Sequence, residues 1–259
     1  MRFLAALRFL TIIPFPFWRD AKEEDIGHSA GYFPVVGILI GLIMAGLNWL
    51  LSLFLPAAIV NGLLLVYLVV VSGGLHIDGF IDTCDGIGGQ KTAPERWQAM
   101  HDSRAGAFGI TGAVLLLLLE YVSLNSVPRQ LLPLVLVIMP VVSRWAMVYA
   151  LFAYPYARPE GLGKIFKEGT NWRSFTMASV VTMVVTTALA FLSGIAYFYL
   201  LGLVILLITW LAVILMANYF KRKFAGLNGD NYGAINEVSE VLVLMLVVLL
   251  AHNQWLGLA

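Results

Sequence analysis

An all-α, polytopic transmembrane bundle of about seven spans is the fold this sequence predicts, on three observations: its hydropathy, its long charge-free runs and the placement of its basic residues. The 259 residues are 60% hydrophobic and 12% charged, with a mean hydropathy of +0.87, well outside the balance of an average soluble domain. No Asp, Glu, Lys or Arg occurs from Ile26 to Ile77 or from Ser174 to Phe220, and each run holds two spans of about 20 residues. Of the 16 basic residues, all but Arg129 and Arg144 fall in the N-terminal segment and in loops 76–106, 153–173 and 221–237. Seven crossings put those four segments on one side, and retention of Lys and Arg marks that side as cytoplasmic.

Taken in order, Met1 to Phe17 is basic and apolar, but Arg8 interrupts the apolar run and no small-residue cleavage pattern follows. It reads as a retained interfacial helix. The first two spans meet at a turn marked by Pro56 and Asn61; two more are expected near 107–127 and 131–152, two on either side of Ser193 and Gly194, and the last over 238–256. The whole chain, 1–259, reads as one integral-membrane domain. Gly37 and Gly41, and Gly106, Gly109 and Gly112, sit where small residues let helices approach. A net charge of +1 lacks the basic excess of a nucleic-acid binder, and a single cysteine, Cys84, rules out an internal disulfide.

The chemistry gathers where the second span ends. Asp78, Asp82 and Asp85 follow i, i+4, i+7 spacing, which sets three carboxylates on one stripe of a helix. Like charges so spaced repel, so the pattern makes sense around a cation, and oxygen-only donors favour Mg²⁺ or Mn²⁺. The alternative is an acidic helix end exposed to water. His76 reads as a hydrogen-bonding partner of the site, and Gly79 and Gly86 as places where a phosphate approaches the backbone. The string from His101 to Gly109 returns Asp102 and Arg104, a guanidinium suited to gripping phosphate or to anchoring the loop. Arg144 lies inside an apolar span, which calls for an ion pair, a substrate phosphate or snorkelling to the interface. Glu120 falls toward the outer end of its span and reads as structural. Loop 154–163 is rigid and aromatic and loop 226–237 is rich in glycine, amides and carboxylates, a texture that suits a site, with turn chemistry as the plain alternative.

Over nearly its whole length the chain resembles the cobalamin synthase (adenosylcobinamide-GDP ribazoletransferase) family of bacterial inner membranes. The resemblance rests on Leu10-Thr11-Ile12-Ile13-Pro14, Tyr32 to Gly37, Gly73 to Gly86, Asp102 to Gly109, Ala157 to Gly163 and Gly229 to Glu240. It implies that the adenosylcobinamide phosphoryl group of adenosylcobinamide-GDP is transferred to the 5′-hydroxyl of α-ribazole, or that α-ribazole 5′-phosphate is accepted, with release of GMP. It also implies Mg²⁺ at Asp78, Asp82 and Asp85. On this view Asp102 is the first choice of base, Arg104 and Arg144 stabilise phosphate charge, and His76, Arg158, Asp230, Asn231 and Glu237 hold substrate. The active face is expected to be cytoplasmic, with the lipid bilayer as surroundings and with other cobalamin-assembly enzymes or a second copy of the chain as further partners. Asp82-Thr83-Cys84-Asp85-Gly86 also looks like half of the CDP-alcohol phosphotransferase signature, but the Ala-Arg pair and the second acidic half do not follow. A small-solute transporter is the competing class. It is disfavoured because the two halves show no clear repeat and the carboxylates cluster at one interface.

Overall fold

The computed structural model describes residues 1–14, 22–89, 92–100, 102, 104–192 and 198–252, apart from the side chains of residues 192 and 198–201. The turn expected at Ser193 and Gly194, and His101 and Ser103 of the polar string, lie outside these residues. The described chain is helical throughout, and it is a multi-pass membrane protein. Six helices are long and apolar enough to cross a bilayer, and a bent pair raises the number to seven.

The amphipathic α1 (Arg2–Leu10) comes first, as expected for an interfacial helix, followed by α2 (Glu23–Gly27) and a 3-10 turn (His28–Tyr32). The crossings are α3 (Phe33–Leu51), α4 (Ala57–Val71), α7 (Ala107–Ser126), α8 (Leu132–Ala153), α10 (Trp172–Leu192), α11 (Phe198–Phe224) and α12 (Gly229–His252). Between them lie α5 (Leu75–Gly88), α6 (Ala93–Met100) and α9 (Leu162–Gly169). One boundary departs from expectation. The last span begins at Gly229 instead of near 238, so Asp230, Asn231 and Glu237, expected in a loop, are helical. Asn228 and Asn231 cause this by capping the helix reciprocally: the Asn231 N–H donates to Asn228 Oδ1 at 2.9 Å and the Asn228 N–H to Asn231 Oδ1 at 3.2 Å.

Apolar on nearly every face, α8 takes the centre of the bundle, as a helix hydrophobic all round must. On it lies α3, where a Cβ at Gly37 or Gly41 would come within 2.5 Å of α8 backbone. This is the packing role expected of those glycines. Outward faces carry apolar side chains such as Val114, Leu118, Val184, Leu211 and Leu215, the surface a bilayer covers.

Arg144 does not snorkel. It is 1% exposed and pairs with Glu240 of α12, also 1% exposed. Ser143 Oγ donates to the same carboxylate oxygen at 3.1 Å, and Asn236 Nδ2 approaches it at 3.3 Å. Glu237 is buried one turn away, and Glu120 of α7 lies within coulombic reach of both glutamates, in the interior and not at the lipid face. A charge pair this deep is held by its partner and not by water. Glu240→Ala is therefore expected to cost about 3–5 kcal/mol of stability, the range for stranding one member of a buried pair, whereas replacing both residues by apolar ones restores most of it. Thermal unfolding of the purified protein in detergent measures both; a single variant as stable as the parent would show that the pair does not lock α8 to α12.

Candidate functional site

The site begins where a span breaks. Gly73 and Gly74 adopt φ of +63° and +73°, a left-handed conformation that costs glycine nothing. Their N–H groups close α4 by donating to Val70 O and Val69 O, both at 2.9 Å. The Ile12 N–H supplies a further donor to Val71 O at 2.8 Å. From this turn α5 leaves at 86° to α4, so that it lies across the polar end of the bundle.

Three contacts hold α5 there. A Cβ at Gly79 would sit 2.9 Å from Asp230 backbone, and one at Gly233 would sit 2.9 Å from His76 O, so α5 and the start of α12 cross at glycine on both sides. Asn231 Nδ2 donates to Thr83 Oγ1 at 3.2 Å. At the far end, buried Arg96 caps the helix through Gly86 O at 2.9 Å and Ile87 O at 3.2 Å. Gly79 and Gly86, expected to receive a phosphate, instead admit neighbouring protein: Gly86 faces Met100 and Phe224.

Along the stripe the three aspartates have different surroundings. Asp85 accepts the Gly106 N–H at 2.7 Å and the Gly109 N–H at 2.8 Å, capping the first turn of α7. Asp82 is half-buried, and its carboxyl is pushed up to about 7, first by burial and then by Asp230, Asp78 and Asp85, against a smaller opposing effect of Arg158. Asp78 faces the loop that carries Arg158, whose Nη2 donates to Asp230 Oδ2 at 3.0 Å. Asn228 Nδ2 donates to the same oxygen at 2.7 Å. The two loops are strapped together by the Ala157 N–H to Leu227 O at 2.8 Å and the Leu227 N–H to Pro155 O at 2.9 Å.

A cavity opens at each end of this stripe. One is a broad polar cleft of about 510 Å³ bordered by Asp85, Glu95, Asp102 and Arg104. The other, of about 210 Å³, is more enclosed and mostly apolar, with Asp78, Arg158 and Asp230 at its polar side and His76 and Tyr232 in its wall. Asp102 and Arg104 form their own exposed ion pair, Nε to Oδ1 at 3.2 Å, and the hydrogen bonds from Arg104 hold the Asp102 carboxyl below the usual range. Asp78, Asp82, Asp85, His76, Arg158 and Asp230 thus converge, with Asp102 and Arg104 at the rim of the open cleft. Asn231 supports α12, and Arg144 and Glu237 line neither cavity.

The sequence reading missed Tyr156, Tyr232 and the rings of Phe9, Phe33 and Phe166, which line the enclosed cavity. It also missed Trp97, whose ring lies 5.0 Å beneath the Arg158 guanidinium. Tyr156 stood in a visibly aromatic loop. The three phenylalanines come from distant segments and carried no local signal.

Among the described residues, no three His, Cys, Asp or Glu side chains gather closely enough to hold a metal ion by themselves. Mg²⁺ does not need that. It keeps several waters and takes one or two carboxylates beside substrate phosphates. Asp78 and Asp82, one helical turn apart, all oxygen and crowded by like charge at Asp82, fit such an ion. Both oxygens of Asp85 already accept α7 amides.

A family model described as cobalamin-5-phosphate synthase (CobS) matches residues 2–248. A Geotalea daltonii protein named adenosylcobinamide-GDP ribazoletransferase is 38% identical over 246 residues, 95% of this chain and 96% of its own. Proteins of the same name from Roseiflexus sp. and Desulforamulus reducens are 35% and 34% identical, over 97% and 94% of this chain and 91% and 94% of theirs. No solved structure matches.

The raised Asp82 carboxyl fixes a pH dependence. Between its ordinary value of 3.8 and about 7, the folded chain keeps a proton there that the unfolded chain has released, so stability falls as pH rises through that window. In metal-free buffer the melting temperature is expected to drop more steeply from about pH 5 to about pH 8 for the parent than for Asp82→Asn. Parallel pH profiles for the two proteins would show that the stripe is not under this strain.

Proposed function

This chain belongs to the cobalamin-5-phosphate synthase family, and from that membership we propose that it joins adenosylcobinamide-GDP to α-ribazole or α-ribazole 5′-phosphate with release of GMP. The observation that carries the reading on this chain's own residues is the aspartate stripe of α5, flanked by a polar cleft and an enclosed cavity. Two substrates must meet at one phosphorus. An acidic stripe between two recesses suits that requirement once its charge is balanced.

The family description names a cobalamin 5-phosphate. A product that keeps phosphate on the 5′ carbon leaves only the secondary ribose hydroxyls to attack, so the 5′-hydroxyl expected from the resemblance gives way to one of these. Its oxygen attacks the phosphorus that bears cobinamide. The bond from that phosphorus to the bridging oxygen breaks in line, GMP departs with the bridging oxygen, and the hydroxyl proton passes to a carboxylate or to water. Asp78 and Asp82 would hold Mg²⁺, which supplies neutralisation of the diphosphate charge. Arg158, held by Asp230 and Trp97 beside the stripe, would bind a phosphoryl oxygen. Asp102, held low by Arg104, makes a poor proton acceptor. The pair serves better as a polar anchor at the cleft mouth. The clustering of Lys and Arg at this end supports a site facing the cytoplasm, and the resemblance to a family of bacterial inner membranes supports that membrane.

Purified protein in liposomes, given adenosylcobinamide-GDP, Mg²⁺ and either α-ribazole or its 5′-phosphate, is expected to form GMP and joined corrinoid in equal amounts. EDTA should abolish both products. Asp78→Asn and Asp82→Asn should each lose about a hundredfold or more in turnover while folding normally, the scale for removing a group that stabilises transition-state charge. Turnover at the parent rate in both variants would refute the metal assignment, and absence of product from folded parent protein would refute the reaction.

A further inference from the structure

Away from the aspartate stripe, the basic end of the bundle carries a further recess of about 200 Å³, lined by Arg2 of α1, Tyr32 of the 3-10 turn and Asn171, Arg173 and Met177 at the start of α10. Packing builds its walls. A Cβ at Gly31 would sit 3.2 Å from Ser174 backbone, and the close approach of Gly27 to Gly169, with His28 Nδ1 2.7 Å from Gly169 O, holds the turn against α9 and α10. Phe3 meets Tyr32 edge to face, centroids 6.3 Å apart, which brings α1 and Arg2 to the same rim. Both guanidinium groups are open to solvent. Arg173 is exposed and has no ion pair among the described residues, and Arg2 has only Asp25, at 3.8 Å. Asp25 and Glu24, which approach Arg2 and His28 at 3.8 and 4.0 Å, lie outside the lining, and no carboxylate is part of it.

We propose that this recess binds the headgroup phosphate of an anionic phospholipid, held by Arg2 and Arg173, with an acyl chain laid along α10. Guanidinium groups grip phosphate oxygens by charge-assisted hydrogen bonds, and basic recesses between membrane helices at the headgroup level take such lipids. The helix below the recess supplies the second half of the site. Arg173, Met177, Val180 and Val184 follow i, i+4, i+7, i+11 spacing, one stripe of α10, and Val180 and Val184 are 54% and 60% exposed. From Met177 to Val184 the stripe runs about 10 Å at about 1.5 Å per residue, within the roughly 15 Å of hydrocarbon in one leaflet. Trp172, 65% exposed at the head of the same helix, marks the headgroup level. A choline or ethanolamine headgroup would bring its own cation against two guanidinium groups, so an anionic lipid is favoured. A free phosphate could meet the arginines but leaves the stripe unused. The occupant also bears on the span break, because the segment that begins at Arg2 delivers the Ile12 N–H to Val71 O. A lipid that pins α1 at its start steadies that donor.

Native mass spectrometry of the full-length protein in detergent, titrated with phosphatidylglycerol and separately with phosphatidylcholine, tests this. Arg173→Gln, an exposed change that should leave the melting temperature alone, is expected to weaken phosphatidylglycerol binding about tenfold or more, the worth of a hydrogen bond to a charged group, and to leave phosphatidylcholine binding unchanged. In nanodiscs, adding phosphatidylglycerol to phosphatidylcholine should raise the melting temperature of the parent, and the double change Arg2→Gln with Arg173→Gln should lose most of that increment. Lys221→Gln with Arg222→Gln removes the same charge from the exposed end of α11 and should keep it. Three results would overturn the proposal: parent affinity for phosphatidylglycerol in Arg173→Gln, an equal loss of the increment in the α11 variant, or the full increment from inorganic phosphate in discs of phosphatidylcholine alone. The first two would reduce the effect to general attraction of basic residues to an anionic surface, and the third would make the occupant a soluble anion.

Discussion

The structure depends on one local event, the breaking of a membrane span at Gly73 and Gly74. Backbone polar groups at the edge of hydrocarbon must be satisfied by protein, so a break is tolerable only where its orphaned carbonyls find donors. Here the left-handed pair closes α4 on Val69 and Val70, and the N-terminal segment brings the Ile12 N–H to Val71. With those carbonyls answered, α5 can turn 86° and lie across the bundle end. Everything chemical follows from that placement. A straight continuation would have carried Asp78, Asp82 and Asp85 away from α12 and the Arg158 loop.

Once α5 lies there, its charge has to be managed. Three aspartates on one stripe gain a fourth like neighbour in Asp230, and the available answers are distributed unevenly. Asp85 is answered by the amide end of α7, and Asp230 by Arg158 and Asn228. Among the described residues Asp82 has no hydrogen bond of comparable kind, and it is pushed up to about 7. The stripe is thus anchored at one end, guarded by an arginine at the other and electrostatically unbalanced in the middle. That imbalance is the chain's strongest physical argument for a cation there.

Much of this was legible before any coordinates. Long apolar runs located the spans, because burial in lipid disfavours charge that has no partner, and the i, i+4, i+7 aspartates announced both a helix and a site. What was not legible arose from contacts between distant segments. Asn, Asp and Gly between 226 and 237 are turn formers by composition, yet Asn228 and Asn231 spend that chemistry on starting a helix, which converts an expected loop into the first turns of α12. Gly79 and Gly86 look like phosphate clearances until the partner helix is known. The phenyl cluster joins α1, α3 and α9, and no window of sequence contains all three.

Unpartnered polar atoms are spread through the interior, so what separates scaffold from site is position relative to the stripe and its cavities. Arg144 is expensive to bury, and Glu240, Ser143 and Asn236 gather at it, with Arg144 Nε and Glu240 Oε2 left without a hydrogen bond; it touches neither cavity. His76 and Tyr232 are nearly as deeply buried, and their polar atoms likewise lack hydrogen-bond partners among the described residues. The Arg144–Glu240 pair is assigned to stability because it joins α8 to α12 away from both cavities, even though it is charged and intramembrane, the feature that made it look catalytic in sequence.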